Sequence, residues 1–161
     1  MTRRVVAVAS GGGHWVQLMR LRGAFDEATV TYVSVRNSYR KDVMDDQFFC
    51  IRDATRWNKV GLVIMAFQLC WILIRCRPHV VVTTGAAPGY FALRLGRLFG
   101  ARTIWIDSVA NVEEMSMAGR LAQRHADLWL TQWPQVAASG GPTYVGSVLG
   151  EVSVSTEEGQ S

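Results

Sequence analysis

Five consecutive apolar residues, Val5-Val6-Ala7-Val8-Ala9, run directly into Ser10-Gly11-Gly12-Gly13-His14. A short, unbroken apolar run suits a strand buried on both faces of a parallel sheet. The glycines predict a tight turn from that strand into a helix. The same grammar returns twice: His79-Val80-Val81-Val82-Thr83-Thr84 leads into Gly85-Ala86-Ala87-Pro88-Gly89, and Thr103-Ile104-Trp105-Ile106 ends at Asp107-Ser108.

Helical and extended patterns alternate between these points. Trp15–Phe25 carries Trp15, Leu18, Met19 and Leu21 at roughly helical spacing, and Thr29–Val35 is β-rich. Polar residues 36–46 predict a loop, and Phe48–Ile51 a short strand. After a long apolar segment, Val60–Ile74, come a helix over Tyr90–Phe99 and a short one over Met117–His125. Strands are expected over Asp127–Thr131 and Thr143–Val148. Strands alternating with helices imply an α/β fold, Rossmann-like, with a mainly parallel sheet. Residues 1–150 form one domain on this reading, and the polar, acidic residues 151–161 a frayed tail.

With 161 residues, 49% of them apolar and 19% charged, the chain can bury a single core and falls outside the disordered class. A net charge of +4 favours acidic partners. The cations form no continuous run with interleaved aromatics, so nucleic acid is not expected. Cys50, Cys70 and Cys76 match no metal or redox spacing, which implies no metal and no structural disulfide. The N-terminal apolar stretch is shorter than the roughly 7–15 residues of a secretory core, so export is not expected.

Ligands of an open parallel sheet bind beyond the carboxyl ends of its strands, and all three loops fall at such ends. The Ser10-Gly11-Gly12-Gly13 turn reads as a phosphate cradle at a helix start or as a tight connection. It lacks the dinucleotide fingerprint, whose third glycine place holds Val16, and no P-loop Gly-Lys is present after it. His14 suits proton abstraction from a sugar hydroxyl, because the unperturbed histidine side chain has a pKa of about 6.5, or simple phosphate binding. Thr84, Gly85, Ala86, Pro88 and Gly89 form a second candidate binding loop, or a rigid connection. Asp107 and Ser108 are placed for sugar hydroxyls, or Asp107 for capping the next segment of chain.

The Val60–Ile74 segment has one clearly polar side chain, Gln68. As a helix it spans about 22 Å, short of the roughly 30 Å hydrocarbon core, so it is either buried or laid into a membrane interface. Arg75 and Arg77 beyond it suit anionic headgroups. Leu62, Phe67, Trp71, Arg75 and Arg77 are the candidate membrane contacts.

Together, Ser10–Leu18 (Ser-Gly-Gly-Gly-His-x-x-Gln-Leu), Arg77–Gly85, Ala101–Ser108 and Ala126–Pro134 resemble the membrane-anchoring subunit of a two-component transferase. That enzyme adds the second N-acetylglucosamine to dolichyl-diphosphate-GlcNAc, and bacterial relatives serve capsule and exopolysaccharide synthesis. The resemblance implies the N-terminal, acceptor-side half of a GT-B glycosyltransferase without a cofactor. It implies a separate UDP-sugar-binding glycosyltransferase subunit as partner, a polyprenyl-diphosphate-linked sugar as acceptor, and a peripheral location on the cytoplasmic face of a membrane. Gly11, Gly12 and Gly13 would face the lipid diphosphate, with His14 at the reaction centre. The Glu-Ser frequent in the eukaryotic relatives is Asp107-Ser108 here, and an arginine common shortly after it corresponds to Asn111. The eukaryotic relatives' N-terminal span has no counterpart, so membrane contact is expected from Val60–Ile74. The alternative is a non-catalytic membrane anchor that stimulates a separate catalytic subunit.

Overall fold

The computed structural model describes residues 2–137 and 140–150; the expected tail, 151–161, lies outside the described residues. Seven strands form one wholly parallel sheet. They are β1 (Arg3–Val8), β2 (Ala28–Ser34), β3 (Gln47–Cys50), β4 (Val80–Thr83), β5 (Arg102–Ile106), β6 (Leu128–Thr131) and β7 (Thr143–Tyr144), in the order β3-β2-β1-β4-β5-β6-β7. Register is set in the middle, where Val5 and Val8 of β1 lie beside Val80 and Thr83 of β4.

Alternate residues of the central strand face opposite layers, as the pleat requires. Val5 and Ala7 pack with Trp15 and Leu18 of α1 (Gly13–Arg20) and with Val30, Tyr32 and Phe48. Val6 and Val8 pack on the other side with Met65, Leu69 and Ile72 of α2 (Lys59–Cys76) and with Ala92 and Leu93 of α3 (Ala86–Leu98). A shorter helix, α4 (Met117–Ala122), joins that second layer through Ala122. The chain leaves β1 by way of α1 towards β2, and leaves β4 by way of α3 towards β5. The β1–β4 boundary is therefore the topological switch point, where a crevice opens between two outward-running connections.

Several expected boundaries move. The first helix begins at Gly13 and stops at Arg20, with a separate 3₁₀ turn over Arg22–Phe25. Residues 37–43, expected as loop, form a 3₁₀ segment, Asn37–Val43, fastened by buried Val43 and by Tyr39 stacked on Trp15 at 4.7 Å. The third helix begins at Ala86 rather than Tyr90, because Pro88 sits in the first turn, where its missing N–H costs nothing. The last strand is only Thr143–Tyr144.

The apolar segment also extends further than its composition suggests. α2 has 18 residues, begun by Asn58 Oδ1 accepting from Gly61 N at 2.8 Å and ended by Arg77 in the left-handed region before Pro78. It is about 27 Å long. One face is core. The other is apolar and open: Val60, Val63, Ile64, Phe67, Trp71 and Ile74 are all exposed, Phe67 at 72%. Of the two expected readings, a buried helix or one laid into a membrane interface, burial holds for one face of α2 only.

Candidate functional site

Two helix N-termini meet at the switch point. α1 starts at N-cap Gly12 and α3 at N-cap Gly85; both caps have positive φ, 66° and 126°, and neither end has a capping side chain. Among the described residues the amides of Gly13, His14, Ala86 and Ala87 have no hydrogen-bond partner. Free amides with aligned dipoles favour anions at both ends. Ala86, at φ 63°, is one of two non-glycine residues in the left-handed region among those described, and it lies at this mouth.

The two ends are joined by a reciprocal pair of hydrogen bonds. The Thr84 hydroxyl donates to the His14 carbonyl at 2.7 Å, and His14 Nδ1 lies 2.7 Å from the Thr84 carbonyl. A carbonyl can only accept, so Nδ1 carries a proton, and in the neutral ring Nε2 keeps its lone pair. The imidazole is half-buried against Gly85, where an added Cβ would stand 2.8 Å from His14 Cε1. Gly85 thus makes room for the ring. On the far side of the glycine turn, Gly12 N donates to the Tyr39 hydroxyl at 2.8 Å and the Ser34 hydroxyl donates to the Ser10 carbonyl.

The expected binding residues divide by exposure. Ser10, Gly11, Gly12, Gly13, His14 and Ala86 are accessible at the crevice. Thr84 is fully buried, and its hydroxyl is committed to His14. Pro88 and Gly89 are buried in the first turn of α3, where Gly89 accommodates the Thr83 side chain rather than a ligand.

Asp107 is also buried, and four donors consume its carboxylate: Trp105 Nε1, Asn111 Nδ2, and the amide and hydroxyl of Ser116. Asp107 itself caps no helix, since Ser116 is the N-cap of α4; its carboxylate holds Ser116 and ties down the loop that leads into that helix. Ser108 accepts from Gln17 Nε2 and Ala110 N, and Asn111 points at Asp107, so both shape the crevice wall.

Two buried glutamines went unassigned at the level of sequence. Gln17 and Gln132 are 5% and 2% exposed and hydrogen-bonded to each other at 2.9 Å. Both lie inside the motifs that carry the family resemblance, but only folding shows that they meet.

The expected membrane contacts separate in a similar way. Phe67, Trp71, Arg75 and Arg77 are exposed, Trp71 lying edge-on to Phe49 at 5.7 Å, whereas Leu62 is partly buried against the core. Trp57, 81% exposed beneath the Arg56 guanidinium, extends the apolar face beyond the helix start.

Comparison with known proteins bears on this architecture. The family model described as "Oligosaccharide biosynthesis protein Alg14 like" matches residues 51–148. A curated relative from Eremothecium gossypii, "UDP-N-acetylglucosamine transferase subunit ALG14", is 28% identical over 84% of this chain and 75% of its own length. The protein of that name from Mus musculus is 22% identical over 81% of this chain and 76% of its own. Among solved structures, Acinetobacter baumannii MurG superposes with a TM-score of 0.72 over 89% of this chain at 14% identity, a likeness of fold alone. The chain spans 45% of that MurG chain. The fold is that of a Rossmann-like domain of GT-B type. By its sequence, the chain belongs to the Alg14-like family of oligosaccharide biosynthesis proteins.

Proposed function

We propose that this chain is the acceptor-binding, membrane-associated subunit of a glycosyltransferase, which moves a sugar from a UDP-sugar to a polyprenyl-diphosphate-linked saccharide. The family and its curated relatives support the coarser statement, a glycosyltransferase subunit of glycan biosynthesis. The observation that carries the finer one is the meeting of two uncapped helix N-termini around a histidine whose Nε2 is free. On this reading the amides of Gly13, His14, Ala86 and Ala87 hold the acceptor's diphosphate. His14 Nε2 takes the proton of the attacking sugar hydroxyl as its oxygen bonds to the donor's anomeric carbon, and UDP departs with the electrons of the broken glycosidic bond. A separate partner subunit holds the UDP-sugar.

The open face of α2 seats the subunit on an anionic membrane surface. From Ala54 to Ile106 there is no acidic residue, while Arg56, Lys59, Arg75 and Arg77 bracket the apolar stripe. Apolar side chains ringed by cations suit the headgroup boundary. The opposite face of α2 covers the sheet, so a peripheral seat keeps the core intact where a crossing would strip it.

Titration with a soluble, short-prenyl diphosphate sugar followed by amide NMR tests the acceptor site. Shifts clustered at Gly11–His14 and Ala86–Ala87 are expected. Shifts confined to other strand ends would rule the crevice out.

A further inference from the structure

α1 places three side chains at three-residue intervals: His14 at the crevice, Gln17 inside, and Arg20 at the opposite end. Gln17 Oε1 accepts from Val109 N at 3.2 Å and from Gln132 Nε2 at 2.9 Å, while its Nε2 donates to the Ser108 hydroxyl at 3.2 Å. Gln132 Nε2 also donates to the Asp107 carbonyl at 2.8 Å, and its Oε1 accepts from Val148 N at 3.0 Å. The amide orientations are forced, because Gln132 Nε2 faces two acceptors and its Oε1 faces an N–H. Arg20 donates to the Val148 carbonyl at 3.2 Å. Both backbone polar groups of Val148, beyond the last strand, are thus held by side chains, one of them on the helix that carries His14.

A buried amide pair in which every polar atom has a partner is a poor source of net stability compared with apolar packing, but it fixes one register. Here it fixes α1 against the ends of β5 and β6. Rotation or sliding of α1 would carry His14 away from Thr84, and catalysis by a positioned base is sensitive to shifts of about 1 Å. We propose that Gln17 and Gln132 are positioning residues: they lock α1 so that His14 holds its Nδ1–H tautomer with Nε2 in the crevice. Arg20 and Val148 bring the 145–150 segment into the same lock. The inference rests on the proposed role of His14 as base, although its geometric half stands without it.

The test uses the full chain, by itself for NMR and with its UDP-sugar-binding partner for kinetics. Gln17→Met and Gln132→Met keep the volume and remove the hydrogen bonds. Gln17→Glu keeps both acceptor contacts, and the Ser108 hydroxyl can rotate to donate to it. In the Met variants, kcat is expected to fall about tenfold or more with the acceptor KM within about twofold, and Gln17→Glu to recover kcat to within about threefold of wild type. The His14 ring ¹⁵N signals should show the Nδ1–H tautomer in wild type and in Gln17→Glu, and a tautomer mixture in the Met variants. Folded Met variants with wild-type kcat and ring signals would overturn the proposal, as would a Gln17→Glu variant as impaired as Gln17→Met. If the Met variants do not fold, exposed Arg20→Met decides: a disturbed His14 ring signal supports the lock, and an unchanged one overturns it. Should His14→Ala leave transfer intact, the catalytic reading falls by itself, while the ring signals still report on the lock.

Discussion

At Gly85 an added methyl group would meet the His14 ring in a backbone at φ 126° that L residues rarely adopt. Gly85→Ala is therefore expected to cost about 1–3 kcal/mol of stability. It should also lower transfer about 10²-fold by displacing the imidazole. Chemical denaturation and a transfer assay check the two separately. Asp127 offers a test by pH. Burial opposes its charge, but the amide and hydroxyl of Thr103, with Arg97 and Arg102 nearby, outweigh that and hold its pKa below the ordinary value. A carboxylate of lowered pKa contributes stability above its unfolded pKa of about 4, and that contribution is lost as pH falls through the folded pKa. Asp127→Asn should lower Tm near neutral pH, and the gap to wild type should close below about pH 4. A gap that persists unchanged in acid would show that charge is not its origin. The residue scale is also where sequence reading reached least far. Thr84 and Asp107, polar groups at strand ends, have the look of ligand contacts, yet they hold His14 and the loop before α4. Thr84 and His14 are 70 positions apart, and Gln17 and Gln132 are 115 apart. No local spacing encodes such a meeting.

Elements were more legible, for a physical reason. A strand buried on both sides must be apolar throughout, so the runs at Val5–Val8 and Val80–Val82 announce themselves. Helix starts are harder: Pro88 suits either a connection or a first turn, and only the packing of Gly89 on Thr83 settles it. The face of α2 was hidden because a helix apolar all round has no preferred side. Packing selects Met65, Leu69 and Ile72 for the core and leaves Phe67 and Trp71 outside. Exchanging Phe67 and Trp71 for serine should therefore leave stability within about 1 kcal/mol of wild type. Sedimentation with vesicles rich in anionic lipid should drop severalfold, and raised salt should weaken the remainder. Undiminished sedimentation of the double variant would move the membrane contact elsewhere.

For the whole molecule, the sheet order fixes where chemistry can sit. Strand order reverses between β1 and β4, and both helices that begin there present uncapped N-termini to one crevice. The chain that carries this crevice belongs to the Alg14-like family of oligosaccharide biosynthesis proteins. Under the proposed function, acceptor binding and the base lie on this chain while the donor sugar lies on another. The most direct measurement is sugar transfer from a UDP-sugar to a synthetic polyprenyl-diphosphate sugar, using the chain alone, with its partner subunit, and with the partner plus His14→Ala. Transfer by the pair only is expected, with a fall of about 10²–10⁴-fold in the variant pair while the two subunits still associate. Undiminished transfer by the His14→Ala pair would contradict the proposed function and leave this chain as an anchor for a catalyst that needs nothing from the crevice.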